Sequence, residues 1–148
     1  MEGINHEFDR ASLIQSAISV LKNSYAPYSR FNVAAAVLGS SGKIYTGVNV
    51  ENASFPACIC AECNAVSSAV GSGESSIEAI AVIGGIEASG SVSSITDYCP
   101  PCGVCRQVMR EFSDPGKFKI ILAKSEDDYK EVCLSDYLPD SFGPNELL

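Results

Sequence analysis

Residues 77–83 read Ile-Glu-Ala-Ile-Ala-Val-Ile, an apolar run interrupted by one glutamate and closed by Gly84-Gly85. A continuous apolar run of this kind suits a β-strand covered on both faces. Residues 117–123 read the same way. A chain with two such strands has to place them inside a layered fold rather than on a sheet with one wet face.

The flanking segments supply the rest. Residues 8–22 carry Leu13, Ile14, Ala17, Ile18 and Leu21 at helical spacing, and the run is broken at Tyr25-Ala26-Pro27. Residues 33–38 and 43–50, joined by Gly39-Ser40-Ser41-Gly42, read as a β-hairpin. Residues 60–70 are alanine-rich and end at Gly71 and Gly73, which predicts a helix stopped by glycine. The Ser- and Gly-rich stretch 84–98 reads as a loop, residues 102–112 as a helix and residues 129–134 as a fifth strand. A short helix near Leu138 and an irregular tail follow. The order α-β-β-α-β-α-β-β gives a layered α/β domain with a mixed sheet. At 148 residues, with no repeat and no linker, the expectation is one domain over 1–148.

Charge and cysteine usage narrow the function. The net charge is −8, with no cluster of Lys or Arg, so a nucleic-acid partner is not expected. The acidic run Glu126-Asp127-Asp128 reads as a solvated turn. No segment approaches the ~20 apolar residues of a membrane span. The start of the chain lacks the basic-then-apolar layout of a secretion signal, so the expected location is cytoplasmic. Seven cysteines, with two pairs spaced Cys-x-x-Cys, favour metal binding over disulfides in that setting.

The chemistry-bearing segments are Cys60-Ala61-Glu62 and Pro101-Cys102-Gly103-Val104-Cys105. They supply three zinc ligands and one acid/base group, the make-up of a catalytic zinc site whose fourth position stays open. Both lie at predicted helix starts, where unpaired amides and the helix dipole stabilise thiolates. Cys102 and Cys105 stand at i, i+3 on one face of the first turn, and Cys60 comes from the other helix. Zinc lowers the pKa of its water from 15.7 toward ~7. Glu62 is placed to take that proton, deliver it to a ring nitrogen and later protonate a leaving amine.

A structural alternative stands beside this. Cys60, Cys63, Cys102 and Cys105 also spell two Cys-x-x-Cys pairs, the layout of a closed four-cysteine zinc site. The intervening residues 64–101 form a longer gap than the roughly 15–20 typical of that motif. Each pair is followed by a helix rather than a tight knuckle.

Over nearly its whole length the chain resembles the small, homotetrameric cytidine deaminases. The matching segments are Tyr28-Ser29-Arg30-Phe31, the run from Tyr45 through Asn49 and Glu51 to Ala53, the two cysteine segments with Arg106-Gln107-Val108, and Ser141-Phe142-Gly143-Pro144. The resemblance implies a three-layer αβα sandwich around a mixed five-stranded sheet. It implies one zinc per chain on Cys60, Cys102 and Cys105, with Glu62 as proton shuttle and zinc hydroxide as nucleophile. It implies that Asn49 and Glu51 bind the ribose 3′-hydroxyl, that Phe31 lies against the nucleoside and that Ala61 offers backbone groups to the base. Phe142 resembles an aromatic that reaches a neighbouring subunit's site in a homotetramer. The reaction expected is hydrolytic deamination of cytidine and 2′-deoxycytidine to the uridine forms, in pyrimidine salvage.

The chief departure is Cys63, where most relatives carry an arginine that hydrogen-bonds the zinc-bound sulfurs. Arg106 is the nearest candidate by sequence to compensate, and Cys63 is expected to be a free packed thiol. The departure keeps two rivals in view: an aminohydrolase for a nucleoside antibiotic such as blasticidin S, and a non-catalytic module with a structural zinc. Cys58, Cys99 and Cys133 read as small core residues, and His6 as an exposed residue near the terminus.

Overall fold

The computed structural model describes residues 7–88 and 95–148. Helix α1 (Arg10–Leu21) leads into strands β1 (Phe31–Gly39) and β2 (Ile44–Val48), then α2 (Ala61–Gly71), β3 (Ile77–Ile86), α3 (Gly103–Glu111), β4 (Lys119–Ala123), β5 (Tyr129–Cys133) and the one-turn α4 (Leu134–Tyr137). The five strands form one sheet in the order β2-β1-β3-β4-β5. Only β3 and β4 run parallel; the other neighbours are antiparallel. The mixed sheet is the expected one.

Side-chain alternation along the central strands builds two cores, because successive residues of a strand face opposite sides. Val33, Ala35 and Val37 of β1, Ile80 and Val82 of β3 and Ile120 and Leu122 of β4 meet α2 and α3. Ala34, Ala36 and Leu38, with Ala79, Ala81, Ile83, Ile121 and Ala123, meet Leu13, Ile14, Ala17 and Leu21 of α1. One helical layer therefore lies on each face, which is why these strands read as continuous apolar runs.

Strand β3 continues past the predicted stop at Ile83, pairing Val33 with Gly84, Asn32 with Gly85 and Phe31 with Ile86. The glycines answer to crowding rather than to a turn. A Cβ on Gly84 would lie 2.8 Å from the Asn32 carbonyl oxygen and 3.3 Å from the Cys99 sulfur. The acidic run falls in the bend between β4 and β5, where Gln15 donates to Glu126 (2.7 Å) and Tyr98 donates to Asp128 (2.7 Å). His6 and residues 89–94 of the Ser/Gly-rich loop lie outside the described residues.

Candidate active site

The α2/α3 face of the sheet carries the cysteines. Cys60 is the residue that caps α2 and Cys102 the one that caps α3; both are extended, and neither side chain caps its own helix. Both sulfurs are thus left at helix N-termini, as the sequence predicted. Cys105 sits in the first turn of α3. The sulfurs of Cys60, Cys102 and Cys105 all lie within 4.8 Å of one another, the one such group of potential metal ligands among the described residues. Cys60 and Cys102 are 3.9 Å apart. Burial grades across the group, from exposed Cys102 through half-buried Cys60 to enclosed Cys105.

Glu62 lies against this group, 5% exposed, with Cys105 Sγ donating to its Oε2 at 3.5 Å. Burial raises the Glu62 carboxyl above its ordinary value. It also raises Cys60, to about 11, and Cys105 higher still, with the nearby Glu62 charge adding to both. Cys102 differs: burial opposes its ionisation, but the backbone N–H groups of Cys105 and Val104 and the thiols of Cys105 and Cys60 bring it below the ordinary value. Burial and the nearby Glu62 charge thus disfavour the thiolates of Cys60 and Cys105, and a divalent cation would reverse that balance. Three sulfurs from two helix starts therefore suit zinc, which takes thiolate ligands in tetrahedral sites.

Cys63 stands outside the three-sulfur group, although its sulfur is 3.6 Å from that of Cys105. Arg106 is not turned to the sulfurs as a compensating cation. Its Nε donates to the Pro101 carbonyl (2.8 Å), its Nη1 donates to the Tyr137 carbonyl (2.8 Å), and its guanidinium stacks 4.5 Å over the Tyr137 ring. Its work is to brace the loop ahead of Cys102 against α4. Cys58 is another correction: it is exposed rather than core, and it accepts the Asn52 N–H at 3.2 Å in the loop before α2. Cys99 packs against the α2/α3 core, while half-buried Cys133 accepts from Lys119 at 3.1 Å.

A second cluster forms where β1 begins and β2 ends. Asn49 Nδ2 donates to the Phe31 carbonyl (2.7 Å), and its Oδ1 accepts from Val33 N–H (2.9 Å) and from the Ser24 hydroxyl. Glu51 Oε1 accepts the N–H groups of Tyr28 (3.0 Å) and Ser29 (3.1 Å). These bonds leave Asn49 one amide hydrogen and Glu51 its Oε2. Phe31 opens β1 and is 38% exposed. Ala61 is fully buried as the first residue of α2. Phe142 lies on the C-terminal tail, which α3 holds: Gln107 donates to the Phe142 carbonyl (2.8 Å) and Arg110 to Ser141 Oγ (2.9 Å). Its ring is exposed.

Two contributors escaped the sequence reading. Gly47 is where β2 meets α2 most closely, since a Cβ there would lie 2.4 Å from the Ala65 nitrogen and 2.5 Å from the Ala61 carbonyl oxygen. A lone glycine inside a strand pattern was the available signal. Asn64 ties the same pair of elements, donating to the Val48 carbonyl at 2.8 Å; nothing in the pattern of residues 60–70 marks it.

A family model described as the cytidine and deoxycytidylate deaminase zinc-binding region matches residues 8–121. The cytidine deaminase of Halalkalibacterium halodurans is 38% identical over 139 residues, covering 94% of this chain and 98% of that protein. The probable cytidine deaminase of Dictyostelium discoideum is 36% identical over 140 residues, covering 91% and 87% respectively. The crystal structure of cytidine deaminase from Burkholderia pseudomallei matches with a TM-score of 0.78 at 37% identity, covering 91% of this chain and all of that one.

Proposed function

The chain belongs to the cytidine and deoxycytidylate deaminase family, and from that premise we propose that it hydrolyses cytidine and 2′-deoxycytidine to uridine and 2′-deoxyuridine. Water is consumed and ammonia released. The observation that carries this reading is the convergence of the Cys60, Cys102 and Cys105 sulfurs beside a buried carboxyl, Glu62.

Cys60, Cys102 and Cys105 would hold one zinc per chain. When bound there, zinc supplies the Lewis acidity that makes water a nucleophile at neutral pH. Glu62 accepts the proton of the attacking water at a carboxylate oxygen and passes it to the ring nitrogen beside the amino-bearing carbon. It then relays the second proton to the departing amine. Burial raises its carboxyl above the ordinary value, the direction that favours taking up a proton.

The Asn49/Glu51 pair would bind the ribose 3′-hydroxyl: one free N–H to donate to its oxygen, one carboxylate oxygen to accept its proton. Phe31 would lie against the nucleoside, and Ala61 would present backbone groups to the base. Phe142 would reach the site of a neighbouring subunit in a homotetramer. Support for the tetramer comes from large apolar side chains left at the surface, among them Val104 at 68%, Phe55 at 70% and Phe142 at 59% exposure. We place the enzyme in pyrimidine salvage as a single cytoplasmic domain over 1–148. No helix among the described residues is long and apolar enough to cross a membrane.

Loss of absorbance at the cytidine band tests the reading, with zinc content measured in parallel. Turnover that vanishes in Glu62→Gln while zinc stays at one per chain is the expected result. Zinc-loaded wild type inert on both nucleosides would refute it, and would turn attention to an antibiotic nucleoside or to a closed four-cysteine site.

A further inference from the structure

Ser24 follows α1, Asn32 is the second residue of β1, and Asn49 follows β2, so the fold alone brings these three together. Asn32 is 6% exposed, and a buried amide has to be hydrogen-bonded. Its Nδ2 donates to Ser24 Oγ at 3.0 Å. An amide nitrogen cannot accept, so the Ser24 proton is directed away from Asn32. It goes to Asn49 Oδ1, which also takes the Val33 N–H at 2.9 Å. The relay has one direction: Asn32 to Ser24 to Asn49.

The Asn49 amide would otherwise have two orientations related by a half-turn. Turning it would set its NH2 against two donors, the Val33 N–H and the Ser24 hydroxyl, and would set its oxygen against the Phe31 carbonyl that Nδ2 now serves at 2.7 Å. Val33 N–H and the Phe31 carbonyl belong to β1 backbone, which any sequence offers. Ser24 and Asn32 contribute side chains, which the sequence itself has to supply.

We propose that Ser24, backed by Asn32, is a positioning residue that holds the free N–H of Asn49 in the direction from which it meets the sugar hydroxyl. This rests on the reading of Asn49 and Glu51 as the 3′-hydroxyl pair. Neither Ser24 nor Asn32 touches the reacting atoms. Their contribution is to binding of a substrate that carries a 3′-hydroxyl, and it disappears for one that does not.

Steady-state kinetics of the zinc-loaded enzyme on cytidine and on 3′-deoxycytidine test this, with Ser24→Ala and Ser24→Thr. One neutral hydrogen bond corresponds to roughly a two- to tenfold effect. Ser24→Ala is expected to raise KM for cytidine by about that factor, to leave kcat within about twofold and to leave 3′-deoxycytidine kinetics unchanged. Ser24→Thr, which keeps the hydroxyl, restores KM. Asn32→Asp gives an independent arm: its carboxylate accepts the Ser24 proton, reverses the relay and should reproduce the Ser24→Ala pattern. A Ser24→Ala effect equal on both substrates, or none on either, would overturn the positioning role while leaving Asn49 and Glu51 in place. Wild type that fails to distinguish the two substrates would overturn the 3′-hydroxyl reading itself, and the positioning role with it.

Discussion

Gly47→Ala isolates what seats α2, the helix that carries Glu62. The added Cβ would lie 2.4 Å from the Ala65 nitrogen, 2.5 Å from the Ala61 carbonyl oxygen and 2.9 Å from Asn64 Cβ. Two of these are helix backbone, which cannot rotate aside. Reaching ordinary van der Waals contact requires β2 and α2 to separate by roughly 1 Å. Such overpacking costs about 1–3 kcal/mol, or a fall in melting temperature of roughly 3–10 °C for a chain of this size. The same shift displaces Cys60 and Glu62 relative to α3 and stretches the 2.8 Å bond from Asn64 to the Val48 carbonyl. A misplacement of ~1 Å in a catalytic constellation can cost ~10²-fold, so kcat/KM on cytidine should fall by about that factor. Gly71→Ala is the matched control in the same helix, because its Cβ would meet nothing within 4 Å. It should be neutral or slightly stabilising. The assay is thermal melting with cytidine turnover and zinc content on all three proteins. Gly47→Ala melting within about 1 °C of wild type at near-full activity would refute the reasoning.

Two further predictions concern groups beside this one. Cys63→Ser should keep one zinc per chain through dialysis, measured by elemental analysis, because Cys63 lies outside the three-sulfur group; zinc lost from this variant would make Cys63 a ligand. Glu74 receives the Ser41 hydroxyl, the Ser41 N–H (3.2 Å), the Ser40 hydroxyl (3.3 Å) and the Tyr45 hydroxyl (3.1 Å). With Ser41 the chief cause, its carboxyl is held below the ordinary 4.5. A depressed folded-state pKa stabilises the fold above 4.5, and that stabilisation disappears as pH falls through the depressed value. Glu74→Gln should therefore be less stable than wild type near neutrality, with the gap closing in acid. Denaturation midpoints from pH 7 downward check this, and a gap that stays constant with pH would count against it.

Much of the fold was legible because its signals are local. Residues 79–83 and 120–123 are apolar at every position since helices cover both sides of their sheet, and that burial is written into composition. The helix starts at Cys60 and Cys102 were legible for the same reason. Where the reading slipped, a local cue had a nonlocal cause. Gly84-Gly85 resembled a strand end, but Gly84 answers to the Asn32 carbonyl and the Cys99 sulfur, and Gly85 to Ile95, all arriving from elsewhere. Arg106 resembled a partner for thiolates, yet two carbonyls and the Tyr137 ring take its guanidinium.

By itself, then, the sequence pointed to the candidate donors, the elements that carry them and the family to which the chain belongs. Residue type and spacing along one helix or strand suffice for those. The tertiary structure alone decided that Cys63 approaches Cys105 without joining the three sulfurs, that Gly47 sets the distance of α2 from the sheet, and that Ser24 and Asn32 orient Asn49. Each depends on segments remote in the chain meeting within a few ångströms, and hydrogen-bond direction and close packing exist only once they have met.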